Sequence, residues 1–187
     1  MKTRRGIPYT IAAVAIGVFC NVLFNVSMNF LPGVPLFMDS LFTVAVTLIT
    51  GLIPGLVTGL LSNFAFTIVT PPDLYVPGAE IYALCSMSSA LVVYLFARKK
   101  NALVFFDLFL LSILVAFVNS VLGGIISSVL FRGIDKFPSD YIVAGMLIQD
   151  IPMTTAAIFA RIPLNLIDKS IAVFGGYGIY VVANRKA

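Results

Sequence analysis

Three residues near the end of the chain, Asn165, Asp168 and Lys169, have types and spacing suited to binding a polar molecule. Spaced i, i+3 and i+4, they share one face of a helix. An amide, a carboxylate and an ammonium on one face can hold a polar heterocycle through several directed hydrogen bonds. Other polar residues interrupt apolar surroundings elsewhere: Asn25, Asn29, Asp39, Ser40, Glu80 and Tyr82 near segment ends, and Asn63 and Asn119 nearer segment centres. A polar group placed in an apolar span costs free energy on insertion, and such groups mark functional positions. Tyr75 and Tyr82 flank a proline-rich stretch and are the best candidates for stacking on a ring. The expected binding set is therefore Asn29, Asp39, Tyr75, Glu80, Tyr82, Asn119, Asn165, Asp168 and Lys169.

Each of these has a plainer explanation. Asp39 follows a Pro/Gly-rich loop and stands where a helix N-cap would. Glu80 can favour the start of a helix through its charge alone. Asp168 and Lys169 can pair with each other, or with Arg161 and Asp150, and simply hold helices together. Asn63 and Asn119 can be interhelical hydrogen-bond donors with no ligand to meet.

Catalytic chemistry finds few parts here. The chain has no histidine, which removes the usual general base and most metal centres. No HExxH pair, GxSxG elbow or phosphate-binding P-loop occurs. Its two cysteines, Cys20 and Cys85, lie in apolar runs and read as small buried hydrophobes. Binding without catalysis is expected, with no cofactor, no metal and no nucleic acid.

The elements that must position these residues are membrane helices. Of 187 residues, 60% are hydrophobic and 11% charged, against about a quarter charged in a soluble domain. A bilayer core needs about 20 apolar residues per helix. Six spans in one membrane domain are expected, at about 9–31, 39–53, 54–70, 79–97, 105–131 and 163–182, separated by Pro/Gly-rich turns. The first, too long for a signal-peptide core, reads as a true span. Residues 141–162, interrupted by Gln149, Asp150, Pro152 and Arg161, are expected to form a broken or interfacial helix before the last span. With six spans, Lys2, Arg4, Arg5, Arg98, Lys99, Lys100, Arg185 and Lys186 all face the cytoplasm, eight of the 12 basic residues. Both termini are then cytoplasmic. Asp39, Asp73, Glu80, Asp135 and Asp140 fall at the external face and only Asp107 at the internal one, so recognition of a small molecule is expected outside.

Small residues three apart, Ala13 and Gly17 in the first span and Gly55 and Gly59 in the third, allow close helix approach. The Phe37-Met38-Asp39-Ser40 helix start, the Gly51-Leu52-Ile53-Pro54-Gly55 reversal, the Gly59-to-Asn63 run and the Ile162-to-Lys169 segment together resemble the substrate-binding S components of energy-coupling factor (ECF) transporters. These are vitamin-uptake proteins of the prokaryotic cell membrane. The resemblance implies an external pocket for a water-soluble vitamin or related heterocycle. It also implies docking through Ala13 and Gly17 to a membrane coupling subunit that works with two cytoplasmic ATPases. In that family the small-residue pair is usually Ala-x-x-x-Ala, and Gly17 departs from it. Two other classes stand beside this reading, a membrane sensing domain of similar build and a scaffold protein of envelope assembly.

Overall fold

The structure is a computed structural model that describes residues 6–29, 36–72, 75–137 and 139–185, with the side chain of Asn29 outside the description. All its regular elements are helical. They are α1 (Ile7–Asn29), α2 (Leu41–Thr50), α3 (Leu52–Val69), α4 (Ala83–Ala97), α5 (Phe105–Leu130), α6 (Ser139–Leu147) and α7 (Met153–Arg185), with a 3-10 turn at Ala79–Tyr82 leading into α4. Among the described residues, five stretches are long and apolar enough to cross a membrane: α1, α3, the 3-10 turn with α4, α5 and α7.

The distribution of polarity runs opposite to that of a water-soluble protein. Ile11, Ile16, Phe19, Phe64, Ile68, Phe105, Phe106, Phe117 and Phe159 are exposed, whereas Asn21, Thr43, Thr47, Ser89, Asn119, Arg161 and Lys169 are buried. In water such an apolar exterior would drive association. Against lipid tails it costs nothing, and the buried polar groups bond to one another. The architecture is compatible with a multi-pass α-helical membrane protein.

Two expected elements come out differently. The second span, placed at residues 39–53, is a helix only from Leu41 to Thr50. At 1.5 Å per residue it is about 15 Å long, half the thickness of a hydrocarbon core. Leu41 and all residues from Thr43 to Leu48 are buried, because α1, α3, α4 and α7 surround α2. A helix shielded from lipid on all sides need not match the bilayer. The other correction concerns residues 141–162 and the start of the last span at 163. Only α6 is a separate short helix, and α7 already begins at Met153 and continues unbroken through Pro163. Proline removes one backbone donor from a helix, a loss that neighbouring helices can cover inside a bundle.

Close crossings fix how the helices register. Gly51, between α2 and α3, has φ 105° and ψ −173°, a backbone region open in practice only to glycine. Four residues later, a Cβ on Gly55 would lie 2.0 Å from Thr47 Oγ1, so α2 and α3 touch where no side chain fits. Gly17 of α1 meets Val46 and Thr58 within the bundle. The apolar core of Leu48, Val93, Ala97, Leu103, Leu108, Leu111 and Val173 fills the end nearest the turn between α4 and α5. The opposite end, where residues 36–40, 75–82 and 131–152 gather, holds the cavity.

Candidate functional site

The site begins with a stretch of chain that is not helical. Residues 36–40 lead into α2 without regular structure. The Phe37 carbonyl accepts a hydrogen bond from Asn25 Nδ2 at 2.6 Å. Met38 has φ 48°, a left-handed conformation uncommon for a residue with a side chain. Its backbone N–H donates to Asp168 Oδ1 at 2.7 Å, which holds that conformation in place. The next residue, Asp39, is thereby turned into the interior.

Asp39 meets Lys169 of α7. Lys169 Nζ donates to Asp39 Oδ1 at 2.9 Å, to Ser40 Oγ at 3.0 Å and to Asp168 Oδ2 at 2.6 Å. An ammonium has three protons to give, and all three are placed. Asp168 and Lys169 are almost wholly enclosed, while the Asp39 side chain retains 21% of its surface. Its second oxygen accepts a long bond from Ser86 Oγ at 3.3 Å. Asp39 is not a helix cap: Ser40 holds the N-cap position of α2, and its side chain makes no capping bond.

Two turns earlier on α7, Arg161 forms a second buried pair. Its Nη2 donates to Asp135 Oδ2 at 2.5 Å and to the Tyr82 hydroxyl at 3.3 Å, and Nη1 donates to the Ala157 carbonyl at 3.3 Å. Tyr82 in turn donates to Asp135. The Asp135 backbone N–H donates to Asp140 Oδ2 at 3.1 Å. Burial and the neighbouring Asp135 carboxylate push Asp140 up to about 7. A proton held there gives Asp135 and Asp140 a bond that their otherwise unpartnered Oδ1 atoms lack.

Between these pairs lies a cavity of about 70 Å³, several times the roughly 10–15 Å³ that one water needs on the same measure. Carboxamides line it from four helices: Asn21 and Asn25 of α1, Asn63 of α3, Asn119 of α5 and Asn165 of α7. Asn21 is tied down at both ends, donating to Thr43 and Ser62 and accepting from the Phe42 N–H. Asn63 donates to Gly59 and Ser86, Asn119 to Ser88 and Ser89, and Asn165 to Ser120 at 3.0 Å. Phe66, Phe37, Phe137 and Tyr82 supply aromatic walls. The last three form an edge-to-face series with ring centres 5.3 and 5.8 Å apart.

Of the residues expected from sequence, the structure brings Asp39, Tyr82, Asn119, Asn165 and Lys169 to this cavity. Asp168 stands behind them, fully buried. Tyr75 and Glu80 are outside the lining and pair with each other, at 3.3 Å. The side chain of Asn29 and the whole of Asp73 lie outside the description. Ala13 is half-buried and Gly17 buried within the bundle. The interhelical-bond explanation of Asn63 and Asn119 and the ion-pair explanation of Asp168 and Lys169 describe real contacts, and Asn63, Asn119 and Lys169 also face the cavity.

Sequence reasoning passed over Asn21 and gave Arg161 no place in the site. Both had a signal. Asn21 and Asn25 are one turn apart, and Arg161, Asn165 and Lys169 repeat every four residues, a straighter stripe along α7 than 165–168–169. Comparison with protein-family models, curated proteins and solved structures returns no match.

Proposed function

We propose that this protein is the membrane-embedded binding subunit of an uptake system for a small water-soluble vitamin or related heterocycle, working with an ECF-type module of a coupling protein and two ATPases. The observation that carries this reading is an aromatic-walled cavity, set with carboxamide and charged side chains, inside a bundle whose outer surface is apolar. A purely architectural bundle gains nothing from leaving such space unfilled, since voids forfeit packing. A binding subunit needs it. The cell membrane of a prokaryote is the place this reading assigns, with six crossings, both ends in the cytoplasm and the cavity near the outer face.

The strap at residues 36–40 fits the same picture. Irregular backbone at membrane depth is tolerated where it lines a cavity or is buried in protein, and transporters use such breaks to build substrate sites. Coupling partners would meet the exposed side of α1, where Ile11, Ile16 and Phe19 point outward. Gly17 then serves this side indirectly, by seating α1 closely on α2 and α3.

The test is uptake and binding measured on the same chain. Co-expression with an ECF module should let cells accumulate a labelled vitamin, and the purified subunit should be thermally stabilised by that vitamin. Absence of both, across a panel of water-soluble vitamins and with normal membrane expression, would rule the reading out.

A further inference from the structure

The charges around the cavity are unequal in what they can still offer. Lys169 has spent all three protons and keeps 2% of its side-chain surface; Arg161 keeps 3% and is held by Asp135. Lys169 has no proton left for an anion, and Arg161 is far more enclosed than Asp39. Of the charged side chains lining the cavity, Asp39 is the most open, and one of its oxygens makes the long Ser86 contact. In a low-dielectric interior a partly open carboxylate favours a positive guest and penalises a negative one.

The neutral groups lean the same way. Asn63 and Asn119 spend both N–H groups on neighbouring oxygens, and Asn165 spends one of its two on Ser120. Their carbonyl oxygens take no hydrogen bond from the described residues and remain acceptors at the cavity. The aromatic walls present π faces, which attract cations. Acceptors, a carboxylate and rings together ask for a flat guest that donates.

We propose that the cavity selects an aromatic heterocycle bearing amino or ring N–H donors, neutral or singly positive, with Asp39 as its charge partner, and that it excludes carboxylate and phosphate ligands. This deepens the binding-subunit reading and rests on it for the biological role of the ligand.

Benzamidinium and benzoate, nearly equal in shape and opposite in charge, separate the possibilities on the full chain purified in detergent. Benzamidinium is expected to raise the melting temperature saturably and benzoate to leave it unchanged. Asp39→Asn should weaken benzamidinium binding at least tenfold. If that variant does not fold, the preference of the parent protein between the two probes decides alone. Equal or tighter binding of benzoate, or binding of neither, overturns the proposal. Vitamins then distinguish this inference from the uptake reading. Saturable binding and uptake of nicotinate or biotin would leave the uptake reading standing and remove this one. Benzamidinium binding with no response to any vitamin would do the reverse.

Discussion

Asp168 illustrates how a residue can serve a site it does not line. Its two oxygens are divided between the Met38 backbone N–H and Lys169 Nζ, so one carboxylate fixes both the strap and the cation that steadies Asp39. Removing it leaves a buried amide without an acceptor and a buried ammonium one bond short. Breaking one side of a buried pair typically costs about 3–5 kcal/mol. Asp168→Ala should therefore lower the melting temperature sharply. Asn165→Ala should change stability much less and weaken ligand binding by about 1–3 kcal/mol, because Asn165 lines the cavity and makes a single bond to Ser120. Melting curves and calorimetric titration of both variants check the division, and it fails if Asn165→Ala melts as low as Asp168→Ala with unaltered affinity. Spacing in the sequence puts 165, 168 and 169 on one helix face. It did not reveal that neighbours on that face divide into lining and support, since that depends on where Met38 comes to rest.

At the level of elements, helical character and most boundaries were legible because apolar runs and Pro/Gly breaks are local signals. What escaped was set by distant partners. The shortness of α2 depends on four helices shielding it, and the continuity of α7 through Pro163 depends on what surrounds that turn; neither is written in a local window. The segment from Phe131 to Leu147 is a similar case. It brings Phe137 to the cavity and Asp135 to Arg161, joining loop and α6 to the site through the Asp135–Asp140 pair. Asp140, at about 7 in the fold against 3.8 as its ordinary value, keeps a proton between those values that an unfolded chain would release. The unfolded state then binds fewer protons, so stability falls as pH rises through that window. The melting temperature should drop from pH 5 to pH 8. Asp140→Asn, which mimics the protonated acid, should flatten that slope and melt higher than the parent at pH 8. A pH profile unchanged by the substitution would detach Asp140 from the stability of this segment.

For the whole molecule, the question is which way the bundle faces and how often it crosses. Contacts order the chain consistently: Gly17 meets Val46 and Thr58, Asn21 meets Thr43, and Asn25 meets Phe37, so the descent from residue 36 to residue 50 runs antiparallel to α1. Its upper part is the non-helical strap and its lower part is α2, which is how a ten-residue helix can belong to a full crossing. Counting that descent gives six crossings, and discounting it gives five with the two ends on opposite sides. Arg98, Lys99, Lys100 and Arg185 lie at the end away from the cavity, and basic residues at one end favour the cytoplasm. Single cysteines introduced at Gly6, Lys99, Ile134 and Arg185, in a chain with Cys20 and Cys85 replaced by alanine, test both points with a membrane-impermeant maleimide. Only the cysteine at 134 should react in intact cells, because Ile134 is exposed beside the cavity end. The other three should react after permeabilisation. Labelling of position 185 from outside with position 6 protected would make α2 a re-entrant element that returns to its own side. Labelling of 6, 99 and 185 with 134 protected would invert the bundle and turn the cavity toward the cytoplasm, where an uptake subunit would have no ligand to capture.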